Sequence, residues 1–530
     1  MKESFGWTFP YCSKRMPILA SNVMATSQPL ACQAGLEMLK KGGNAVDAAI
    51  AAAITLTVVE PVNNGIGSDA FAIVWDGKKL HGLNASGRSP ATWNLELFSK
   101  YKRMPIVGWE SVTIPGAVSA WVDLSNKFGS LEFEKLFQPA IKYARSGFLV
   151  SPITAEAWKL LIKMYPRKKF PEFHATFTIN GKAPLPGSLF KNPSQANTLE
   201  LIANSEGEEF YKGKIAKKIV KYSQDTGGYF SIEDFENHSP EWVELLSINY
   251  KGITIHEMPP NTQGIAALIA LGILKNFNFQ NLDANSPESM HLQIEAMKLA
   301  IADTAQHVGD PAHMKIAPEA LLNDKYLESR ASLINLQEAS DFKLTASNLD
   351  DTVYLTTADE NGMMVSYIQS NYMGFGSGII VPNTGISFQN RGCGFNLIEN
   401  HPNVIGSSKR PFHTIIPAFV TNNNEPLMSF GVMGGPMQPQ GHLQMIMRIF
   451  EFGENPQAAI DAPRWRVMDG LNIKVEKGFD ENTMSKLKKM GNVVKSGPYV
   501  EFGGAQIIYK LDDGYLAASD PRKDGQAVGF

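Results

Sequence analysis

A helix that is apolar on every face needs protein around it on several sides, and residues Ala48 to Leu56 form such a helix. Asn44 just before it is a good N-cap, and Asp47 sits in the first turn, where the helix dipole favours an acid. The wider run from Ala45 to Val59 is interrupted by Asp47, closed by Glu60-Pro61, and too short and Ala-rich to span a bilayer. It therefore belongs inside a layered fold. Ahead of it, a helix starting near Ser27 carries Pro29 in its first turn and stops at Gly42-Gly43. Behind it, the turn-rich stretch Asn63 to Asp69 leads into two strand-like runs, Ala70 to Trp75 and Lys79 to Leu83, joined by Asp76-Gly77.

Residues 110 to 340 read mostly as helices, among them Gly116 to Lys127, Glu132 to Arg145 and Ser289 to His307. The stretch Leu333 to Asp351 is polar and weakly periodic, which predicts a mobile surface segment. At Thr352 a β-branched, apolar run begins abruptly. Strands are expected at Thr352 to Ala358, Met363 to Ser370, Gly385 to Gln389, His413 to Thr421 and Pro426 to Val432. A helix, Gln440 to Phe452, and a hairpin near Gln506 to Ala518 close the chain. This order is not a regular βαβ alternation. It predicts sheets covered by helical layers rather than a Rossmann-type parallel sheet.

With 530 residues, 44% of them hydrophobic, the chain has ample material for a buried core. Its 49 basic and 52 acidic residues are spread along the sequence and leave a net charge of −3, which argues against nucleic acid or an anionic membrane as the main partner. A small-molecule partner fits better. Cys12, Cys32 and Cys393 are odd in number and lack metal-ligand spacing, so a reducing compartment is expected, with neither a disulfide framework nor a zinc site. Met1 to Met16 contains no uninterrupted apolar core of a secretory signal, and a cytoplasmic location is expected.

Several short motifs invite chemistry. Gly374-Phe375-Gly376-Ser377-Gly378 follows a strand, but Ile379-Ile380-Val381-Pro382 cannot open a helix, so the context of a dinucleotide loop is missing. His307 and His313 flank a Gly-Asp-Pro turn, which is ordinarily structural rather than metal-binding. No cofactor is required by anything in the sequence. Gly434-Gly435 lies between a strand and a helix-prone segment, where backbone N–H groups could hold an oxyanion or simply make a tight turn. Thr352 is an ordinary strand residue unless the Asp351-Thr352 bond is cut. It would then carry a hydroxyl nucleophile and a free α-amine base on one residue.

Taken together, the blocks resemble the γ-glutamyltransferase family of N-terminal-nucleophile hydrolases over nearly the whole chain. They are Gly42-Gly43-Asn44-Ala45-Val46-Asp47 with Val59-Glu60-Pro61 and Gly65-Ile66-Gly67, then Val112-Thr113-Ile114-Pro115-Gly116 and Gly309-Asp310-Pro311. Asp351-Thr352 through Asp359, Gly376-Ser377-Gly378, Lys409-Arg410-Pro411, Gly434-Gly435 and Ala518-Ser519-Asp520-Pro521-Arg522 complete the pattern. The resemblance implies an α+β fold, a four-layer αββα sandwich forming one domain over residues 1–530. It also implies self-cleavage before Thr352 into fragments 1–351 and 352–530, which stay together as a heterodimer that could dimerise further. Thr352 would be the nucleophile, Gly434 and Gly435 the oxyanion donors, and Ser370, where the family carries Thr, the hydroxyl that orients the nucleophile. The substrate would be a small acyl amide, with water or an amine as acceptor, and no cofactor or metal.

The substrate-recognition positions depart from the family pattern. Its carboxylate-binding Arg falls at Ser86, with Arg88 two residues on, and the acid that holds the donor's α-amine falls at Gly394. Its serine pair becomes His413-Thr414, and Arg391 adds a positive charge. Arg88, Arg391, His413 and Thr414 are thus the expected substrate-binding residues. Such a pocket suits an acyl group that bears a carboxylate and no ammonium. Glutathione hydrolase-like chemistry on γ-glutamyl amides is the first reading and a glutaryl-type (cephalosporin) acylase the second. An unprocessed small-ligand-binding protein is the alternative from another class.

Overall fold

The structure is a computed structural model and describes residues 15–342 and 351–530. Two seven-stranded sheets lie at its centre. The first runs Gln526–Gly529, Val23–Thr26, Asp351–Ala358, Met364–Tyr372, Asp69–Trp75, Leu80–Ala85, Glu241–Val243. The second runs Ile18–Ala20, Gly514–Ser519, Ala505–Leu511, Glu425–Val432, Ala418–Asn422, Ile253–Glu257, Leu246–Tyr250. Neighbouring strands within each sheet are antiparallel. The chain thus crosses back and forth between sheets, and strands from both ends of the sequence complete each one.

Three separate apolar cores show the layering. Phe71, Ile73, Tyr354, Ile368, Phe419 and Ile508 pack between the two sheets. The outer face of the first sheet is covered by helices that include Ala45–Val59, and the outer face of the second by Gly264–Leu274, Pro287–His307 and Gln438–Ile446. This is a four-layer αββα sandwich. All fifteen residues of Ala45–Val59 are buried, as its uniform apolarity demands. Asn44 and Asp47 form a capping box at its start, with Asp47 Oδ2 accepting the Asn44 N–H at 3.0 Å. Glu60-Pro61 ends it, because the residue before a proline is steered away from helical geometry.

Strand alternation decides which side chains reach the space between the sheets. Along Asp351–Ala358, Val353 and Leu355 join the helix-side core, while Tyr354 and Ala358 join the inter-sheet core. Thr356 Oγ1 meets Ser429 Oγ of the opposite sheet at 2.5 Å. Thr352 shares that inward-facing side.

Some expected elements differ. Within the region 110 to 340, read mostly as helices, residues 241 to 257 form three strands; Leu246–Tyr250 and Ile253–Glu257 alternate buried and more exposed residues on either side of the Lys251-Gly252 turn. The run Gly385 to Gln389 is no strand; it touches its neighbours through the single bridges Gly67–Phe388 and Ile380–Ser387. The strand expected from His413 begins only at Ala418, because Pro417 lacks the N–H a ladder needs, and His413 itself makes one isolated bridge to Thr262. The last long helix starts at Gln438 and loosens into a π-turn at Met447–Glu451. Of the segment expected to be mobile, residues 343–350 lie outside the described residues. Its earlier part is pinned: Ser340 N–H donates to Glu295 Oε2 at 2.9 Å, and its carbonyl accepts from Lys298 Nζ at 3.3 Å.

Candidate active site

Thr352 is fully buried at the start of its strand. Its Oγ1 donates to Ser370 Oγ at 3.3 Å, and Ser370 Oγ accepts the Tyr372 N–H at 2.7 Å. The neighbouring strand therefore holds the hydroxyl pair in one arrangement. From the start of the helix Gln438–Ile446, Gln438 Nε2 approaches Thr352 Oγ1 at 3.5 Å, while Gln438 Oε1 accepts the Ile416 N–H at 2.9 Å.

Gln438 opens its helix directly after the Gly435–Met437 turn, so the Gly434-Gly435 pair lies on the same piece of chain as the amide that approaches Thr352. Gly434 has φ +111° and Gly435 φ +49°, left-handed values that only glycine adopts without strain. A Cβ on Gly434 would also lie 3.1 Å from Gly503 Cα. Gln263 Nε2 fixes the far side of the turn by donating to the Gly435 carbonyl at 2.8 Å and to the Thr414 carbonyl at 2.5 Å. One amide thus ties the glycine turn to the segment bearing His413 and Thr414.

Asp69 is the site residue that the sequence reading missed. It begins the Asp69–Trp75 strand opposite Ser370 in the antiparallel register, two strands from Thr352. Its Oδ1 accepts the N–H groups of Gly87 at 3.3 Å and Gly116 at 3.1 Å. Both glycines are required by close approach: a Cβ on Gly87 would run into the Ile114 carbonyl, and one on Gly116 into the Ala85 carbonyl. Asp69 Oδ2 lies 3.2 Å from His413 Nε2. Because His413 Nδ1 accepts the Ile415 N–H at 3.4 Å, Nε2 carries the proton and donates to Asp69. Burial, with Arg391 nearby, holds the His413 pKa well below the usual histidine value, so the ring is neutral.

Burial pushes the Asp69 carboxyl up to about 7, against the pull of Arg391 and of the two N–H groups. Folding therefore raises this acid's pKa from 3.8. Its contribution to stability is fully present below that value and is lost as pH rises through about 7. Asp69→Asn is expected to flatten the fall in unfolding free energy between about pH 4 and 7, measured by urea denaturation.

Arg391, His413 and Thr414 come together beside this carboxyl. Arg391 is buried, donates through Nη1 to Thr414 Oγ1 at 2.7 Å, and lies over the Tyr372 ring at 4.5 Å. Arg88 goes elsewhere. Its guanidinium, 39% exposed, is held by Glu241 at 3.0 Å and Asp310 at 3.2 Å, and it donates to the Ser408 carbonyl. Ser86 is buried and donates to Asn84 Oδ1 at 2.7 Å, and its carbonyl accepts from Arg410 Nε at 3.0 Å. At Gly394 a Cβ would lie 2.5 Å from the Phe412 carbonyl, so an acidic side chain does not fit there without a shift. Among the described residues, no group of three His, Cys, Asp or Glu side chains is arranged to hold a metal ion.

The arrangement brings together a buried pair of hydroxyls on neighbouring strands of one sheet and a side-chain amide at the start of a helix that follows a glycine turn. Three known proteins and one family profile are similar to the chain as a whole. The family profile described as Gamma-glutamyltranspeptidase matches residues 31–530. A Bacillus subtilis protein named glutathione hydrolase-like YwrD proenzyme is 37% identical over 515 residues, covering 94% of this chain and 97% of its own. The oxamate amidohydrolase proenzyme of Klebsiella pneumoniae is 32% identical over 520 residues, covering 94% and 97%. The crystal structure of a cephalosporin acylase from Bacillus halodurans superposes with a TM-score of 0.95 at 45% identity, covering 100% of this chain and 99% of that one. The chain belongs to the γ-glutamyltranspeptidase family.

Proposed function

We propose that the protein is a self-processing threonine amidohydrolase and acyltransferase, acting on γ-glutamyl or related acyl amides, that cuts itself between Asp351 and Thr352. The observation that carries this reading is the buried Thr352 hydroxyl at the head of a central strand, paired with Ser370 and approached by the amide of Gln438, which directly follows the Gly435–Met437 turn. Once freed, the Thr352 α-amine is the base that takes the hydroxyl proton; an unperturbed α-amine titrates near pH ~8, close enough to neutrality for that transfer. The Oγ–carbon bond forms as the carbonyl π pair moves onto oxygen, where backbone N–H groups stabilise it. Collapse breaks the carbon–nitrogen bond, and the leaving amine takes the proton from the α-amine. Water or a second amine then attacks the Thr352 ester by the same steps in reverse.

A second reading, an acylase that needs no α-amine on its substrate, is favoured by the far end of the site. An acid at position 394 would press on the Phe412 carbonyl, Ser86 stands where the family has its Arg, and buried Arg391 supplies positive charge. The relatives' names span this range, from glutathione hydrolase-like to oxamate amidohydrolase and cephalosporin acylase. Comparison of kcat/KM for γ-glutamyl-p-nitroanilide and glutaryl-p-nitroanilide separates the two. The acylase reading predicts at least about tenfold preference for the glutaryl compound, equivalent to ~1.4 kcal/mol of differential binding. A preference of that size for the γ-glutamyl compound contradicts it. Turnover of neither removes both.

A further inference from the structure

Gln438 lies outside the groups the sequence marks, and we infer that its side-chain amide is a catalytic donor to the oxyanion, beside Gly434 and Gly435. The inference rests on Thr352 being the nucleophile.

The geometry gives the amide one orientation. Its Oε1 is the group that can accept the Ile416 N–H, at 2.9 Å, which turns Nε2 toward Thr352 Oγ1 at 3.5 Å. Gln438 is fully buried and starts a helix, so its placement is rigid and shielded from water. In the uncut chain the contact is weak, because 3.5 Å to a neutral hydroxyl lies beyond ordinary hydrogen-bond length. When Oγ attacks a carbonyl carbon, negative charge develops on an oxygen two bonds from Oγ through that carbon. The same N–H then meets a charged acceptor in a dry site, where the hydrogen bond is shorter and about twice as strong. A contact that strengthens only as charge develops raises kcat rather than tightening substrate binding. The same donor serves self-cleavage, in which Thr352 Oγ attacks the Asp351 carbonyl and charge develops on that oxygen.

The glycine turn and Gln438 belong to one piece of chain, with Gly435–Met437 running directly into the helix. Gln263 secures the turn through the Gly435 carbonyl, and Ile416 secures the amide. Backbone and side-chain donors therefore move as a unit against the nucleophile's strand.

The test uses the full chain, with rates normalised to the fraction bearing a Thr352 N-terminus by intact mass. The probe is γ-glutamyl- or glutaryl-p-nitroanilide, whichever the wild type turns over faster. Q438M, similar in length and without a donor, is expected to lose about 10²- to 10³-fold in kcat with KM within a few-fold of wild type. A folded Q438M that fails to cleave supports the same role. Q438E donates only while its carboxyl is protonated, so its kcat falls as pH rises over a range where the wild-type rate does not. A Q438M kcat within threefold of wild type, a loss confined to KM, or a Q438E profile that follows the wild type would overturn the inference. Should Q438M unfold, seen as a collapsed melting temperature, Q438E carries the test. A wild type that neither cleaves nor turns over either probe counts against the proposed function rather than against Gln438.

Discussion

Thr352→Ala is expected to remain one uncut chain and to lose turnover of the preferred anilide by roughly 10⁴-fold or more, the scale seen when a hydroxyl nucleophile is removed. The substitution deletes the atom that forms the covalent bond in both the self-cleavage and the acyl transfer. It takes a hydroxyl from a buried pair with Ser370 and leaves Val353 and Leu355 packed as before. The variant should therefore remain folded and melt cooperatively. Denaturing electrophoresis and intact mass report the cut, and steady-state kinetics reports the turnover. A Thr352→Ala protein that still splits at 351–352 would move the nucleophile elsewhere.

The second large effect is expected at Gly434. Gly434→Val places a β-branched residue at φ +111°, where its Cβ meets Gly503 Cα at 3.1 Å and Met437 Cβ at 3.4 Å. Backbone strain of this kind costs about 1–3 kcal/mol, and the turn relieves it by rotating its peptide planes. On the proposed mechanism their N–H groups then leave the oxyanion, and kcat is expected to fall about 10²- to 10³-fold. KM should change far less, because ground-state binding of the acyl group rests on other side chains. A variant with wild-type kcat and raised KM would assign the turn to substrate binding instead of to charge stabilisation.

Much of this architecture is legible in the sequence for reasons that can be named. An apolar helix with a capping box has one physical solution, and Ala45–Val59 adopts it. The change from polar approach to β-branched run marks the strand that Thr352 opens, and the glycine pair marks a turn of unusual φ. Resemblance supplied the rest of the candidate chemistry at these positions. Where local pattern was misread, the signal was nonetheless present: Leu246-Ser247-Ile248-Asn249-Tyr250 alternates with the period of a strand, and its burial follows that alternation.

Asp69 and Gln438 are a different matter. Asp69 ends a stretch whose composition says only turn, and its meaning comes from a register that sets it opposite Ser370 and from two glycines that bring N–H groups to its carboxylate. Gln438 is one of several glutamines in a helix, marked out only because the fold brings the start of that helix against Thr352. Contacts between sheets join residues far apart in the chain, and no local spacing encodes them. Arg88 shows the converse. It stood near an aligned motif, yet the fold commits its charge to Glu241 and Asp310.

The central claim is the cut that turns a strand residue into an N-terminal nucleophile. Intact-mass spectrometry of the purified wild-type chain, with N-terminal sequencing of the smaller product, tests it most directly. The predicted result is two fragments, residues 1–351 and 352–530, the second beginning Thr-Val-Tyr-Leu. A chain that stays whole through prolonged incubation at neutral pH, or that splits at another bond, would contradict it.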